Sequence, residues 1–250
     1  MKIMARKNLV LLTGMVGSPI KIQTKDGVRV ARFKLVMGRQ GHEGEDKPFV
    51  EVGGDAIAFA ERLAIGDFVH VEGELHTKSI KYSTECSDCH TKIYKDILVT
   101  TVYSENITVF PASETAFFEN HVFLLGHVVQ KPMLFRTVRG VPKTKYQIVI
   151  KRFRNDTSAD FPYVASYKRL AQQDSERMIK GSMVFIDGAI QTVQRPYTLE
   201  CPDCFQHELV TFSLLEVVSK SSEYLYGCVF PENDDPNHWK LKELERNIGA

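Results

Sequence analysis

At 250 residues, 43% apolar and 25% charged, the chain has the makeup of an ordinary globular protein, with room for one large domain or two modules with separate cores. It has no run of eighteen apolar residues and no signal-peptide pattern at its start, which reads as a cytoplasmic protein without a membrane partner. A net charge of +1 excludes a strongly basic polyanion coat, yet residues 223–250 hold six acids against three bases, so residues 1–222, with 29 bases and 25 acids, stand at +4.

Taken in order, residues 8–14 form a strand apolar on both sides, Val10 and Leu12 alternating with Leu9, Leu11 and Thr13. A turn at Lys25, Asp26 and Gly27 leads to a second strand carrying Val30, Phe33 and Leu35, and residues 49–52 make a third. Over residues 55–63 the period changes, with Ala56, Phe59, Ala60 and Leu63 at helical spacing ahead of Gly66. Residues 68–71 and 93–99 return to strand. Three strands, a short helix and two strands is the order of an OB-fold, a partly open barrel that holds oligonucleotides on one face and two loops.

The pattern then recurs. Asn8 and Gly14 match Asn120 and Gly126 at a shift of 112, and Pro19, Gly27 and Phe33 match Pro132, Gly140 and Tyr146 at 113. Residues 61–64 match 168–171 at 107. Gly66, Gly73, Thr77, Tyr82, Cys86 and Cys89 match Gly181, Gly188, Thr192, Tyr197, Cys201 and Cys204 at 115. Matches that keep their order while insertions fall between elements mark a duplication, because loops change length more readily than strands. The expected fold is all-β with short helices: two tandem OB-fold barrels, over residues 1–112 and 118–222, and an acidic, helix-like tail over 223–250.

In this order the residues resemble the bacterial and phage single-stranded DNA-binding protein family. The resemblance rests on Asn8 leading a strand into Thr13 and Gly14, on Pro19, on Phe33, Lys34, Leu35 and Val36, and on the strand entry from Gly66 to Gly73 followed by Leu75 and Thr77. The second copy keeps Asn120, Gly126, Pro132, the helix start from Tyr167 to Ala171, and the segment from Gly181 to Gly188. The resemblance implies a non-catalytic protein that binds single-stranded DNA without base specificity in replication, recombination or repair. It also implies a homodimer, since the four-barrel assembly common in the family needs two such chains.

Such binding requires flat side chains for stacking and cations along the phosphates. By the family's pattern the aromatics are Phe49 and Phe161 at the third strand and Tyr167 at the helix, with Ala60 in its place in the first copy; the family's hairpin aromatic falls on Ile80 and Arg195, and Tyr82 and Tyr197 stand two residues on, pointing to the same face. Arg39, Arg152, Arg154, Lys78, Lys81 and Lys131 are the candidate phosphate contacts.

Each copy also carries a Cys-x2-Cys turn at its hairpin tip, Cys86 with Cys89 and Cys201 with Cys204, which most of the family lacks. Two such knuckles complete a four-thiolate zinc site, and one is half of it. Three readings follow: one structural zinc shared by all four cysteines, within the tandem or across subunits; separate sites completed by His90 or His76 and by His207; or free thiols and a labile disulfide. Cys228 has no partner at this spacing. A function from another class is a primosome-type adaptor that docks a helicase or primase, with one barrel given over to protein contact and replication proteins as partners. The poorer aromatic set of the first copy favours it. No grouping suited to catalysis appears.

Overall fold

The computed structural model describes residues 7–25, 27–39, 43–110, 118–152 and 158–230; most of the expected acidic tail, and Arg154, lie outside the described residues. The first repeat runs β1 (Lys7–Val16), β2 (Lys21–Lys25), β3 (Val28–Gly38), β4 (Glu45–Asp46), β5 (Phe49–Val52), a 3-10 turn (Gly54–Ala56), α1 (Ile57–Ala60), β6 (Phe68–Glu85) and β7 (Lys92–Val109). The second runs β8 (Glu119–Val128), β9 (Met133–Arg136), β10 (Pro142–Lys151), β11 (Ala159–Asp160), β12 (Tyr163–Tyr167), α2 (Lys168–Arg177), β13 (Met183–Glu200) and β14 (His207–Tyr226).

Each repeat closes on itself. In the first, β1 pairs β3 and β6, β6 pairs β7, and β7 runs parallel to β5, which pairs β3. The second repeats this through β8, β10, β12, β13 and β14, with β12 and β14 as its parallel pair. Period-two alternation turns Val10, Leu12, Phe33 and Leu35 into one barrel and Val122, Leu124, Tyr146 and Ile148 into the other, all essentially inaccessible. Burial of such side chains is worth roughly 1.5–3 kcal/mol each. It also leaves Arg32, Lys34, Lys143 and Lys145 on the outer faces. Gly14 and Gly126 sit where neighbouring backbone leaves no room for a side chain: a Cβ there would lie 2.6 Å from the Val36 carbonyl oxygen and 2.7 Å from that of Val149.

The two barrels share one sheet, because β1 pairs antiparallel with β8 from Lys7↔Leu125 to Thr13↔Glu119. Val10 faces Val122, its own counterpart in the repeat, and Asn8 and Leu12 face Leu124 and Asn120. A pseudo-twofold axis therefore passes between Val10 and Val122. The strand-leading asparagines now have a role. Asn8 Nδ2 donates to the Leu75 carbonyl and its Oδ1 accepts from the Leu75 N–H, both at 2.9 Å. Asn120 holds Ile190 in the same way at 2.8 Å.

Two features differ from the sequence expectation. The helix expected over residues 55–63 is α-helical only at Ile57–Ala60, since Arg62 and Leu63 donate to the carbonyls of Phe59 and Ala60 in the tighter i→i−3 pattern. The fourth and fifth strands are also far longer than expected, at 18 residues each for β6 and β7. A bulge at Glu72/Gly73, and its equivalent at Asp187/Gly188, bends the strand out of the barrel, and residues 77–100 and 192–215 continue as two hairpin arms.

Candidate nucleic-acid interface and cysteine cluster

The arms meet at their tips. Cys86, Cys89, Cys201 and Cys204 place all four sulfurs within 4.8 Å of one another, with Cys86 to Cys204 and Cys89 to Cys201 both at 3.5 Å. Each knuckle is built alike: the Cys86 N–H donates to the Thr91 carbonyl and the Cys201 N–H to the Gln206 carbonyl, and His90 and Phe205 turn the chain with φ near +60°. The knuckles are also tied directly, Ser87 N–H to Glu208 at 2.6 Å and Thr91 Oγ1 to Asp203 at 2.6 Å. Hydrogen bonds from Thr91 hold the Cys89 thiol down to about 6. Against the Gln206 amide, which favours its thiolate, the neighbouring thiols push Cys204 up to about 12. Below the tip, Tyr82 and Tyr197 pack edge-on against Phe212 with ring centroids at 4.8 and 5.5 Å, in a small core with Ile93, Leu199 and the buried Cys86 and Cys201. Of the two tyrosines expected to stack on bases, Tyr82 thus joins the first arm to the second, and Tyr197 packs on Phe212 of its own arm.

Two expected phosphate contacts are likewise engaged within the protein. Arg152 donates from Nε and Nη2 to the fully buried Asp160 at 2.8 and 2.7 Å, and Asp160 accepts the Thr77 N–H of the first repeat's arm at 2.6 Å. Arg39 binds Asp46 at 2.8 Å, and Asp46 accepts the Thr192 N–H of the second arm at 2.8 Å. These symmetric clasps account for the repeated Thr77 and Thr192. Their backbone contacts also align the repeats: Thr77 Oγ1 accepts the Phe161 N–H, and Thr192 Oγ1 accepts that of Lys47. The counterpart of Phe161 is therefore Lys47, and that of Phe49 is Tyr163, which pairs Gln147 on β10 as Phe49 pairs Lys34 on β3. Tyr167 correspondingly matches Gly53, not Ala60, and Lys168 shares the positive φ of Gly54.

At these aligned positions the outer faces carry matching aromatic–cation pairs. The Arg32 guanidinium lies 4.1 Å from the Phe49 ring centroid, with Lys34 Nζ at 5.1 Å; Lys145 Nζ lies 4.1 Å from the Tyr163 ring, with Arg195 at 5.4 Å. Phe49 lines a cleft of about 800 Å³ together with Arg32, Lys34, Lys47 and Lys78 of its own repeat and Gln194 and Phe212 of the other arm. A second cleft of about 460 Å³ is lined by Phe135, Lys143, Lys145, Gln194, Arg195 and Tyr197. Carboxylates temper both: Glu51 binds Lys78 at 2.6 Å, and the buried Glu216 binds Lys143 at 3.0 Å and Arg195 at 2.7 Å. Although burial opposes it, Tyr167 and Glu216 raise the pKa of Lys143.

Of the other expected residues, Phe161 is 38% exposed beside its clasp, Tyr167 stands at the start of α2 with Lys143 Nζ 4.9 Å from its ring, Lys81 sits over Tyr94 on the first arm at 4.6 Å, and Lys131 is exposed in the turn after β8. Sequence reasoning missed Arg32, Lys34, Tyr163, Lys143, Lys145 and Arg195. The signal was available for four of these, since outward positions flanking the core residues Phe33 and Tyr146 at period two carry Arg32, Lys34 and Lys145, and Lys143 lies two residues before Lys145.

Residues 119–199 match the model of the single-strand binding protein family. A 77-residue stretch is 38% identical to the single-stranded DNA-binding protein of Oceanobacillus iheyensis, covering 29% of this chain and 48% of that protein, so the chain spans about half the length of that relative. The single-stranded DNA-binding protein 1 of Staphylococcus aureus is 28% identical over 130 residues, covering 50% of this chain and 75% of its own. The crystal structure of wild-type single-stranded DNA binding protein from Thermus aquaticus superposes with a TM-score of 0.63 at 17% identity, over 91% of this chain and 96% of that one. At that identity the likeness concerns the fold.

Proposed function

From the match of residues 119–199 to the single-strand binding protein family and the all-β likeness to its structural neighbours, we propose that the chain belongs to that family and binds single-stranded DNA without base specificity, as a non-catalytic protein of replication, recombination or repair. The observation that carries this is the pair of aromatic–cation platforms at equivalent outer positions, Phe49 with Arg32 and Tyr163 with Lys145. A base stacks on a ring whatever its identity, and the adjacent cations meet the phosphates on either side. Residues 1–112 and 118–222 act as the two binding modules, and two chains form the working homodimer. The adaptor reading drew on a poorer aromatic set in the first repeat; the cleft around Phe49 removes that support.

The cysteine cluster fits a shared structural zinc. Zinc–sulfur bonds of about 2.3 Å in a tetrahedron set sulfurs roughly 3.8 Å apart, close to the separations of Cys86, Cys89, Cys201 and Cys204. All four ligands would be cysteine sulfurs of the chain, so the ion would brace the arm tips and take no part in hydrolysis. Thiolate ligation also suits a reducing compartment.

Anisotropy titration of a labelled oligo-dT tests the DNA reading. Phe49→Ala and Tyr163→Ala should each weaken binding by about 1–3 kcal/mol, and Tyr82→Ala should leave affinity within about twofold. Equal losses for Tyr82→Ala and Tyr163→Ala would contradict it.

A further inference from the structure

A groove that attracts a polyanion has no need of an acid, yet each repeat places one beside its aromatic–cation platform. Glu216, its side chain 1% exposed, accepts from Lys143 Nζ at 3.0 Å through Oε1 and from Arg195 Nη2 at 2.7 Å through Oε2. Glu51, 12% exposed, accepts from Lys78 Nζ at 2.6 Å, and the same oxygen lies 3.8 Å from Arg32 Nε. Arg32, Lys34 and Lys78 thus stand against one carboxylate at the first cleft, and Lys143, Lys145 and Arg195 against one at the second.

The two acids are not counterparts. Val50 pairs Val102 in one parallel pair of strands and Val164 pairs Val217 in the other, so Glu51 of β5 answers to Ala165, and Glu216 of β14 answers to Thr101. Each barrel therefore closes with a buried neutral residue at the position where the other carries its acid. A requirement of the fold is repeated in place, as Asn8 and Asn120 are. Here the position is not repeated and the charge is, delivered from either strand of the parallel pair onto two cations near the stacking ring. Nor is the burial of Glu216 a gain in stability, since an ion pair withdrawn from water costs about as much as it returns.

We propose that Glu51 and Glu216 limit the protein's grip on a single strand: each carboxylate competes with DNA phosphate for two cations of its groove, so that affinity and residence time are set below what the basic residues alone would give. This rests on the single-strand reading above. A carboxylate about 3 Å from a cation offsets the field which that cation shows to the groove, and the burial of Glu216 keeps solvent and salt from screening the pair. An approaching phosphate meets a charge already partly neutralised, and a departing one leaves cations with a partner at hand.

Glu51→Gln and Glu216→Gln remove the charge and keep the shape. The test is the affinity of each variant and of the unaltered protein for labelled oligo-dT by anisotropy across about 50–300 mM salt, with dissociation rates by stopped flow and Tm by circular dichroism. One further phosphate neutralised steepens the slope of log affinity against log salt by about 0.7, which amounts to about eightfold tighter binding at about 50 mM salt and about fourfold at about 150 mM. Each variant should show that gain, most of it as slower dissociation. A carboxylate serving only the barrel would instead give a lower Tm with the slope unchanged. Unchanged or weaker binding with no change of slope in the folded variants would overturn the proposal while leaving single-strand binding intact, as would loss of folding in both. If Glu216→Gln alone fails to fold, the more exposed Glu51→Gln decides. Absence of binding by the unaltered protein would overturn the functional reading, and the proposal with it.

Discussion

Replacing Arg152 by Ala separates two roles that a basic residue at this position could fill. Asp160 is inaccessible to solvent and accepts four hydrogen bonds, two from Arg152 and two from the Thr77 N–H and Oγ1. Removing one member of a buried ion pair typically costs about 3–5 kcal/mol, because the other charge is left uncompensated. Here both Thr77 donors survive and the Arg152 side chain is itself 30% exposed, which brings the expectation to about 2–4 kcal/mol. For a chain of this size that is a fall in Tm of about 5–15 °C, read by circular dichroism. The DNA measurement points the other way. A phosphate contact contributes about 0.7 to the slope of log affinity against log salt for a single strand, whereas a clasp contributes nothing directly. Arg152→Ala should therefore lower Tm and leave the salt slope, measured well below Tm, unchanged. A Tm held within about 2 °C with a slope reduced by about 0.7 would refute the clasp and restore the phosphate contact.

Metal analysis should find about one zinc per chain, lost in Cys201→Ser/Cys204→Ser, with the arm tips then open to limited proteolysis; native zinc content far below one, indifferent to that substitution, would rule out the shared site. The buried Asp174 accepts from Tyr224 Oη at 2.8 Å and Tyr146 Oη at 3.3 Å, and burial, outweighing these hydrogen bonds, raises its pKa above the ordinary 3.8. The folded state thus holds this proton more tightly than the unfolded one, so its contribution is fully present below about pH 4 and is lost as pH rises through the folded-state value. In urea titrations across that window, Asp174→Asn should flatten the decline in stability with pH, and an unchanged profile would show that Asp174 does not carry it.

Much of this architecture was legible because duplication prints each constraint twice. Asn8 and Asn120, Gly14 and Gly126, and the paired cysteines each mark a contact that both barrels must make, so their spacing located the strands and the arm tips without any knowledge of the partners. What stayed hidden depends on contacts between repeats. Arg39 and Arg152 look like free cations in the sequence because their carboxylates follow after a loop and the threonines that complete the clasps lie more than 70 residues away. Tyr82 and Tyr197 alternate onto an outward face, as expected of stacking residues, but both pack on Phe212, which for Tyr82 belongs to the other arm. Tyr163 was passed over for Phe161 because a one-residue insertion between the second and third strands, where the shift passes from 113 to 114, blurs the alignment, and the backbone contacts of Thr77 and Thr192 resolve it. Strand length was hidden too, since residues 77–85 are polar enough to read as loop until their cross-strand partners are known.

Competition for the protein between labelled oligo-dT and unlabelled single-stranded DNA, duplex DNA and RNA of equal length, repeated at two salt concentrations, tests the central claim most directly. The expected result is displacement by single-stranded DNA at far lower concentration than by duplex, with affinity falling steeply as salt rises. Equal displacement by duplex and single strand would contradict it.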